Sequence, residues 1–407
     1  MFLRVLALVV LLSGATATPV LGQPSPMEVE APGTDVFHDL DAETIALVDL
    51  QEPLTQPRAQ PRSRSRTLRT VGTVTAAPAM MGDFFGGGIP FSTAPLSDPF
   101  SGFIPLGSNR IKIAENGKAQ PMDGAFFNYN HYSNAMSYED DTTGSTVLVT
   151  IPVDRYTFGV EKTFAEGLWS AELRVSFNSD LSRSPLGFGG FSIEGGDVCK
   201  LAANLKKSVY RSADTSLVVG LGMAAPAGND VNFVDDTHLI DVHQILRNET
   251  VHLLPYIGFL RTPSERLFYQ AFLQADFGLN GNRVIDVKNG GVVVDRLNEA
   301  NLLFLDFQVG YWIYQSSERA YLSRAAALIE LHQTNILSAA DVFTDPPSPP
   351  PPGAPPPSQG HLLTMTAGLQ LDLTEMTTLR IGGVVPLTSE HRAYFESELS
   401  VQLNHYF

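Results

Sequence analysis

From Gly124 to Phe407 the chain is written in runs of two-residue alternation, and these runs constrain the fold more than any other feature. In 169–178, Trp169, Ala171, Leu173, Val175 and Phe177 share one parity, while Ser170, Glu172, Arg174, Ser176 and Asn178 share the other. Successive side chains of an extended chain point to opposite faces, so this run presents one unbroken apolar face and one charged face. The same division recurs. Leu303, Leu305, Phe307, Val309 and Tyr311 oppose Phe304, Asp306, Gln308 and Gly310; Leu363, Met365, Ala367, Leu369 and Leu371 oppose Thr364, Thr366, Gly368, Gln370 and Asp372. Leu217, Val219, Leu221 and Met223 form another such face, and Leu399, Val401 and Leu403 the last. Runs of about 9 to 12 residues suit a tilted strand crossing a bilayer, whereas strands in globular sheets average about five or six.

The connections carry a second rhythm. Strands are expected near 124–133, 153–164, 168–178, 198–210, 215–225, 251–262, 266–278, 301–314, 320–334, 361–373, 377–387 and 392–407. The gaps after the second, fourth, sixth, eighth and tenth are brief, and most others are long, with 388–391 the exception. Short turns at one end and long loops at the other are the plan of outer-membrane barrels, in which an even strand number returns both ends to the periplasmic side. The expected fold is therefore all-β: an antiparallel transmembrane β-barrel of about twelve strands over 124–407, preceded by a disordered or irregular N-terminal segment, 23–123. Phe395 is expected on the apolar face of the final strand, and the aromatic carboxyl terminus fits the signal read by the outer-membrane insertion machinery.

The N-terminus agrees with export. Arg4 precedes the apolar run 5–12, and Val20 and Gly22 suit cleavage before Gln23, with a cut after Ala17 as the alternative. Residues 1–22 are thus expected to be a signal peptide, and the bacterial outer membrane the destination. The lone Cys199 has no internal disulfide partner. A net charge of −16 argues against nucleic acid as a partner. The exception is Arg58, Arg62, Arg64, Arg66 and Arg69, a solvated linker or an arm for anionic polymer or lipid. The short amphipathic stretch 35–50, the glycine run 86–88 and the proline tract 349–357 complete the irregular features; the last reads as a stiff spacer.

Several stretches, among them 156–164 with 171–175, and Leu254-Pro255-Tyr256 with 269–274, resemble a group of largely uncharacterised bacterial outer-membrane barrel proteins. More distantly the chain resembles the MetA outer-membrane family, named for phenol degradation. The resemblance spans roughly 120–407, contains no catalytic motif, and implies fold and compartment more than substrate.

No HExxH, CxxC or Walker-type sequence occurs, and the glycines 187, 189 and 190 lack a following Lys-Ser/Thr. Asp235, Asp236, His238, Asp241 and His243 form the richest metal-like cluster, but the five-residue spacing of the histidines suits neither a helix nor a flat strand, so a solvated acidic loop is expected. Ser397 and His405, the elements of a lipid hydrolase on the last strand, lie about 27 Å apart at ordinary strand rise. No enzyme activity, cofactor or metal is expected. By parity the lumen is lined by Glu172, Arg174, Gln270, Asp276, Asp306, Gln308, Glu330, Arg380, Glu396 and Glu398, with Phe268, Phe272, Phe304 and Trp312 among them. Opposite charges there either satisfy one another in a filled barrel or line a polar tunnel with aromatic patches. The expected function is a porin-like channel for small, amphipathic or aromatic solutes, narrow or partly plugged. A closed structural or adhesive barrel acting through its outer loops is the alternative.

Overall fold

Twelve antiparallel strands close into a barrel in simple chain order: β1 (Gly124–Asp140), β2 (Val147–Phe164), β3 (Trp169–Ser179), β4 (Val198–Arg211), β5 (Thr215–Pro226), β6 (His252–Arg261), β7 (Leu267–Gly278), β8 (Asn301–Gln315), β9 (Arg324–Ser338), β10 (Leu362–Asp372), β11 (Thr377–Pro386) and β12 (Ser397–Tyr406). Each pairs with the next. Closure is made by β12 against β1, in register from Ser397↔Ser133 to Tyr406↔Gly124. The structure, a computed structural model, describes residues 76–83, 89–92, 102–104, 110–140, 147–179, 191–194, 198–228, 230–235, 241–287, 290–316, 322–341, 343–344, 361–388 and 395–407. These all fall in one compact unit. The signal peptide, the amphipathic stretch 35–50, the Arg-rich stretch, the glycine runs and the proline tract lie outside the described residues. Among the described residues no helix is long and apolar enough to cross a membrane.

The alternation read from the sequence sets the wall. Outward residues on β2 to β12 remain exposed although large and apolar: Leu173 is 54% exposed and Ile329 58%, while the inward Gln308, Glu330 and Arg380 are 0%. This inverts a soluble barrel. At the short-turn mouth the outer surface is aromatic, with Phe164 stacked on Trp169 (6.3 Å) and Tyr210, Tyr311, Tyr314 and Phe407 exposed nearby in the same tier. Lys207 and Lys162 lie over the rings of Trp169 and Phe407.

Strand limits shift most at the long-loop mouth. β1 and β2 extend beyond expectation, leaving only 141–146 between them. β12 begins five residues later than expected, at Ser397. Strict parity applies only within a ladder: Phe395, expected outside, is fully buried against Tyr132 (5.7 Å between ring centroids), and Glu396, just before the ladder, is exposed. Three long connections supply Phe191–Glu194, Val231–Asp235, Asp241–Leu246, Asn282–Asp286 and Val292–Leu297, which form a separate five-stranded sheet. Asp235 and Asp241 of the metal-like cluster pair as register partners in that sheet; Asp236 and His238 lie outside the described residues. A small second sheet joins Ile89–Ser92 to Gly102–Ile104 and to Phe343–Thr344.

Candidate functional site: an occupied lumen

Residues 76–83 and 110–122 run through the inside of the barrel without strand or helix, and all but Met122 are buried. The second of these legs spans the lumen. Arg110 donates to Ala300 O (2.7 Å) beside the long-loop ends of β6, β7 and β8, and Asp123 accepts the Thr163 N–H (2.6 Å) at the short-turn end of β2. Burial pushes the Asp123 carboxyl up, but the two hydrogen bonds from Thr163 and the Lys162 ammonium at 3.3 Å outweigh it and hold the group below its usual range.

The legs fit because their residues are small or special. Ala76, Ala77 and Ala79 need little space, and Pro78 brings no N–H to satisfy. Gly82 has φ of +76°, and a Cβ there would lie 2.5 Å from Glu115 Cα. The legs touch through Met80 N–H to Gly117 O (2.8 Å) and Asn116 N–H to Met81 O (3.3 Å).

An irregular segment in a buried interior has no ladder for its backbone groups, so side chains must take that role. The wall provides them. Register partners Gln270, Gln308 and Glu330 form a row across β7, β8 and β9: Gln270 Nε2 donates to Gln308 Oε1 (2.9 Å), and Gln308 Nε2 to Glu330 Oε1 (2.6 Å). Glu330 then accepts the N–H of Met81 (2.8 Å) and of Gly82 (2.9 Å). Gln270 also donates to Pro78 O, Gln308 and Arg380 to Ala79 O, and Gln402 to Met81 O. On the other leg, Gln274 accepts the Ile113 N–H (2.7 Å) and donates to Ile111 O (2.8 Å), while Arg174 donates to Glu115 O (3.2 Å).

Charges follow the same division. Lys112 Nζ lies 2.5 Å from Asp83 and 2.7 Å from Asp306. His332 touches Asp306 (2.9 Å) and Glu330 (3.1 Å). Arg110 meets Asp276 (3.1 Å) and Glu299 (3.4 Å), with His252 and Lys200 in the same cluster. Glu115 pairs with Arg155, and Asn116 accepts from Arg380. Asp83, Asp306 and His332 present ligand atoms within 4.8 Å of one another, a spacing suited to a metal, but the Lys112 ammonium contacts both carboxylates.

Of the ten expected lumen residues, seven meet the inserted segment directly: Arg174, Gln270, Asp276, Asp306, Gln308, Glu330 and Arg380. Glu172 holds Arg174 (2.6 Å), and Glu398 accepts from Asn130 (2.6 Å). Glu396, just before β12, is exposed. The aromatic patch is also covered, since Phe268, Phe272 and Trp312 pack with Met80, Met81 and Ile113; Phe304 belongs to an apolar layer with Tyr132, Leu302, Leu362, Val384 and Phe395. The occupants themselves, Asp83, Arg110, Lys112, Glu115 and Asn116, were not legible as lumen residues. Their available signal was the Asn116-Gly117 turn pair, which lies where the second leg bends. On the outer surface His131 Nδ1 meets Asp154 (2.7 Å), and among the described residues no serine hydroxyl hydrogen-bonds to that ring. His405 Nδ1 contacts Thr377 (3.1 Å).

The barrel is similar to solved porins and channels. The NanC porin shares 10% identity over 70% of this chain and 98% of its own, with a TM-score of 0.40. An outer membrane channel from Pseudomonas putida F1 shares 13% over 70% and 96%, at 0.41. The CymD monoaromatic hydrocarbon channel shares 12% over 84% and 98%, at 0.39. No protein-family model and no curated protein sequence matches the chain. The fold assignment rests on the closed ladder itself.

Proposed function

We propose that this protein is a bacterial outer-membrane channel for small solutes, held shut at rest by its own residues 76–83 and 110–122. The observation that carries the reading is the width of the lumen. It accommodates two irregular chain segments side by side, in contact from Met80 to Gly117, so the wall without them encloses a passage. Eight strands enclose only side chains and sixteen or more leave an open channel, and twelve falls between. The segments are held by side chains and share no ladder with the wall, so they can shift while the barrel stays closed. The apolar exterior and its aromatic tier support a membrane location, where lipid is the outer partner. The row of amides beside Phe268, Phe272 and Trp312 supports a small amphipathic or aromatic solute. The terminal strand ending on Phe407 supports delivery by the outer-membrane insertion machinery.

A second reading, a closed barrel acting through its long connections, is favoured by the five-stranded sheet those connections build. Planar-bilayer recording separates the two. Gly82→Val puts a Cβ against Glu115 and strains the left-handed backbone, so it should loosen the inserted legs without altering the wall. The channel reading expects rare openings in the native protein and about tenfold more in the variant. Heat-modifiable, folded protein that stays silent in both forms would leave the closed barrel.

A further inference from the structure

Lys112 is the deepest clue to what the lumen recognises. Its ammonium is buried, donates to Asp83 and Asp306 at hydrogen-bond lengths, and lies 5.6 Å from the centroid of the Phe304 ring. Carboxylates combined with an aromatic face form an environment suited to an alkylammonium group. Most of this seat belongs to the wall. Phe304 and Asp306 are two residues apart on β8, Glu330 and His332 two apart on β9, and Asp306 and His332 are register partners, so the barrel ladder holds all four in place. Asp306 Oδ2 is buried with no hydrogen-bond partner among the described residues, which leaves an acceptor aimed at no group yet supplied.

Withdrawal of the inserted legs removes Lys112 and Asp83 together, and also two of the N–H groups that Glu330 accepts, leaving Gln308 and His332 on it. The wall then retains the Asp306 carboxylate and its register partner His332 beside Phe304, and Phe304 continues into the apolar layer of Leu302 and Leu362. We infer that Phe304, Asp306 and His332 form a binding site for the primary ammonium group of a small organic cation with an apolar body, and that Lys112 occupies this site as an internal surrogate. A solute of that kind opens the lumen by competing with Lys112. This inference rests on the channel reading for its consequence in transport, but the site itself can be tested without any flux.

The test uses the full chain in detergent. Lys112→Ala should lower the heat-modification temperature, and ethylammonium chloride should restore at least half of the loss. Sodium, magnesium and tetramethylammonium chloride at equal ionic strength should not, because they lack the N–H donors. Lys112→Met fills the seat with a side chain of similar length, so there ethylammonium should have no effect, and the loss should be that of the charge and of its hydrogen bonds to Asp83 and Asp306. In bilayers, the Gly82→Val protein should pass ethylammonium at least fivefold better than tetramethylammonium, and adding Asp306→Asn should abolish that preference while conductance persists. Conductance without preference, together with no rescue of Lys112→Ala, would overturn the ammonium site and leave the channel standing. Rescue without any conductance would overturn the channel and leave the site.

Discussion

Gly382 on the barrel wall yields its side-chain space to Met81: a Cβ built at Gly382 would lie 2.7 Å from the Met81 sulfur. Gly368, its register partner on β10, stands at 2.5 Å from the same atom by the same measure. The pair forms a notch for one thioether. Gly382→Leu should therefore expel Met81 and free the first leg. A cysteine placed at Ala79 in a Cys199→Ser background should be inert to a membrane-impermeant maleimide in the native protein and labelled in the Gly382→Leu variant. Equal labelling in both would mean the notch does not hold the leg.

Glu330 accepts two backbone N–H groups that have no other partner on the inserted leg. Glu330→Gln keeps the shape but leaves one acceptor oxygen and no charge, so one N–H loses its partner. A buried polar group left in that state costs about 1–3 kcal/mol. The expected result is a lower heat-modification temperature with an unchanged folded band at room temperature, read by cold gel electrophoresis. An unchanged temperature would place the stabilisation elsewhere.

Membrane embedding predicts a dependence on depth. Ile329 is exposed midway along β9, and Leu337 is exposed near its long-loop end. Ile329→Arg should cost about 2–4 kcal/mol and Leu337→Arg about 0–1 kcal/mol in lipid vesicles, compared by urea titration. Equal and small costs would fit a water-exposed wall instead.

Glu249 and Arg283 tie the connection before β6 to the strand Asn282–Asp286, with Arg283 Nε at 2.8 and 3.0 Å from the two carboxylate oxygens. The hydrogen bonds from Arg283 hold the Glu249 carboxyl below its usual range, against the opposing push of burial. A depressed carboxylate stabilises above the unfolded pKa, near 4.3 for glutamate, and loses that contribution as pH falls through the folded value. Pepsin cleavage within 241–297 in the native protein, taken relative to Glu249→Gln at the same pH so that the protease's own pH dependence cancels, should therefore rise as pH is lowered from about 4.3. A native-to-variant ratio that does not change with pH would remove the pair from any role in holding this sheet.

The wall was legible because each strand separates two media. Leu173 faces outward and Arg174 inward for the same reason that Leu305 and Asp306 do, and a period of two records that division residue by residue. The rule weakened where strands leave the ladder, which is why Phe395 is buried rather than outward. The inserted legs left no such record. Their backbone is satisfied by Gln270, Gln274, Gln402 and Glu330 from sequence positions far downstream, so no local spacing announces the contact. Nine of the ten expected lumen residues are buried inside the barrel, while the segment they meet had to be seen in place.

The second leg runs without a break from Arg110 through Asp123 into the first residues of β1. An occupant joined covalently to the wall it fills cannot be diluted away. Its effective concentration at the vacated seat stays in the millimolar range or above for a short tether, whatever the protein concentration. In the channel proposed above, an external competitor would have to exceed that standing concentration to keep the lumen open, reclosure would follow as soon as the competitor is depleted, and a single molecule would repeat the cycle without a second component.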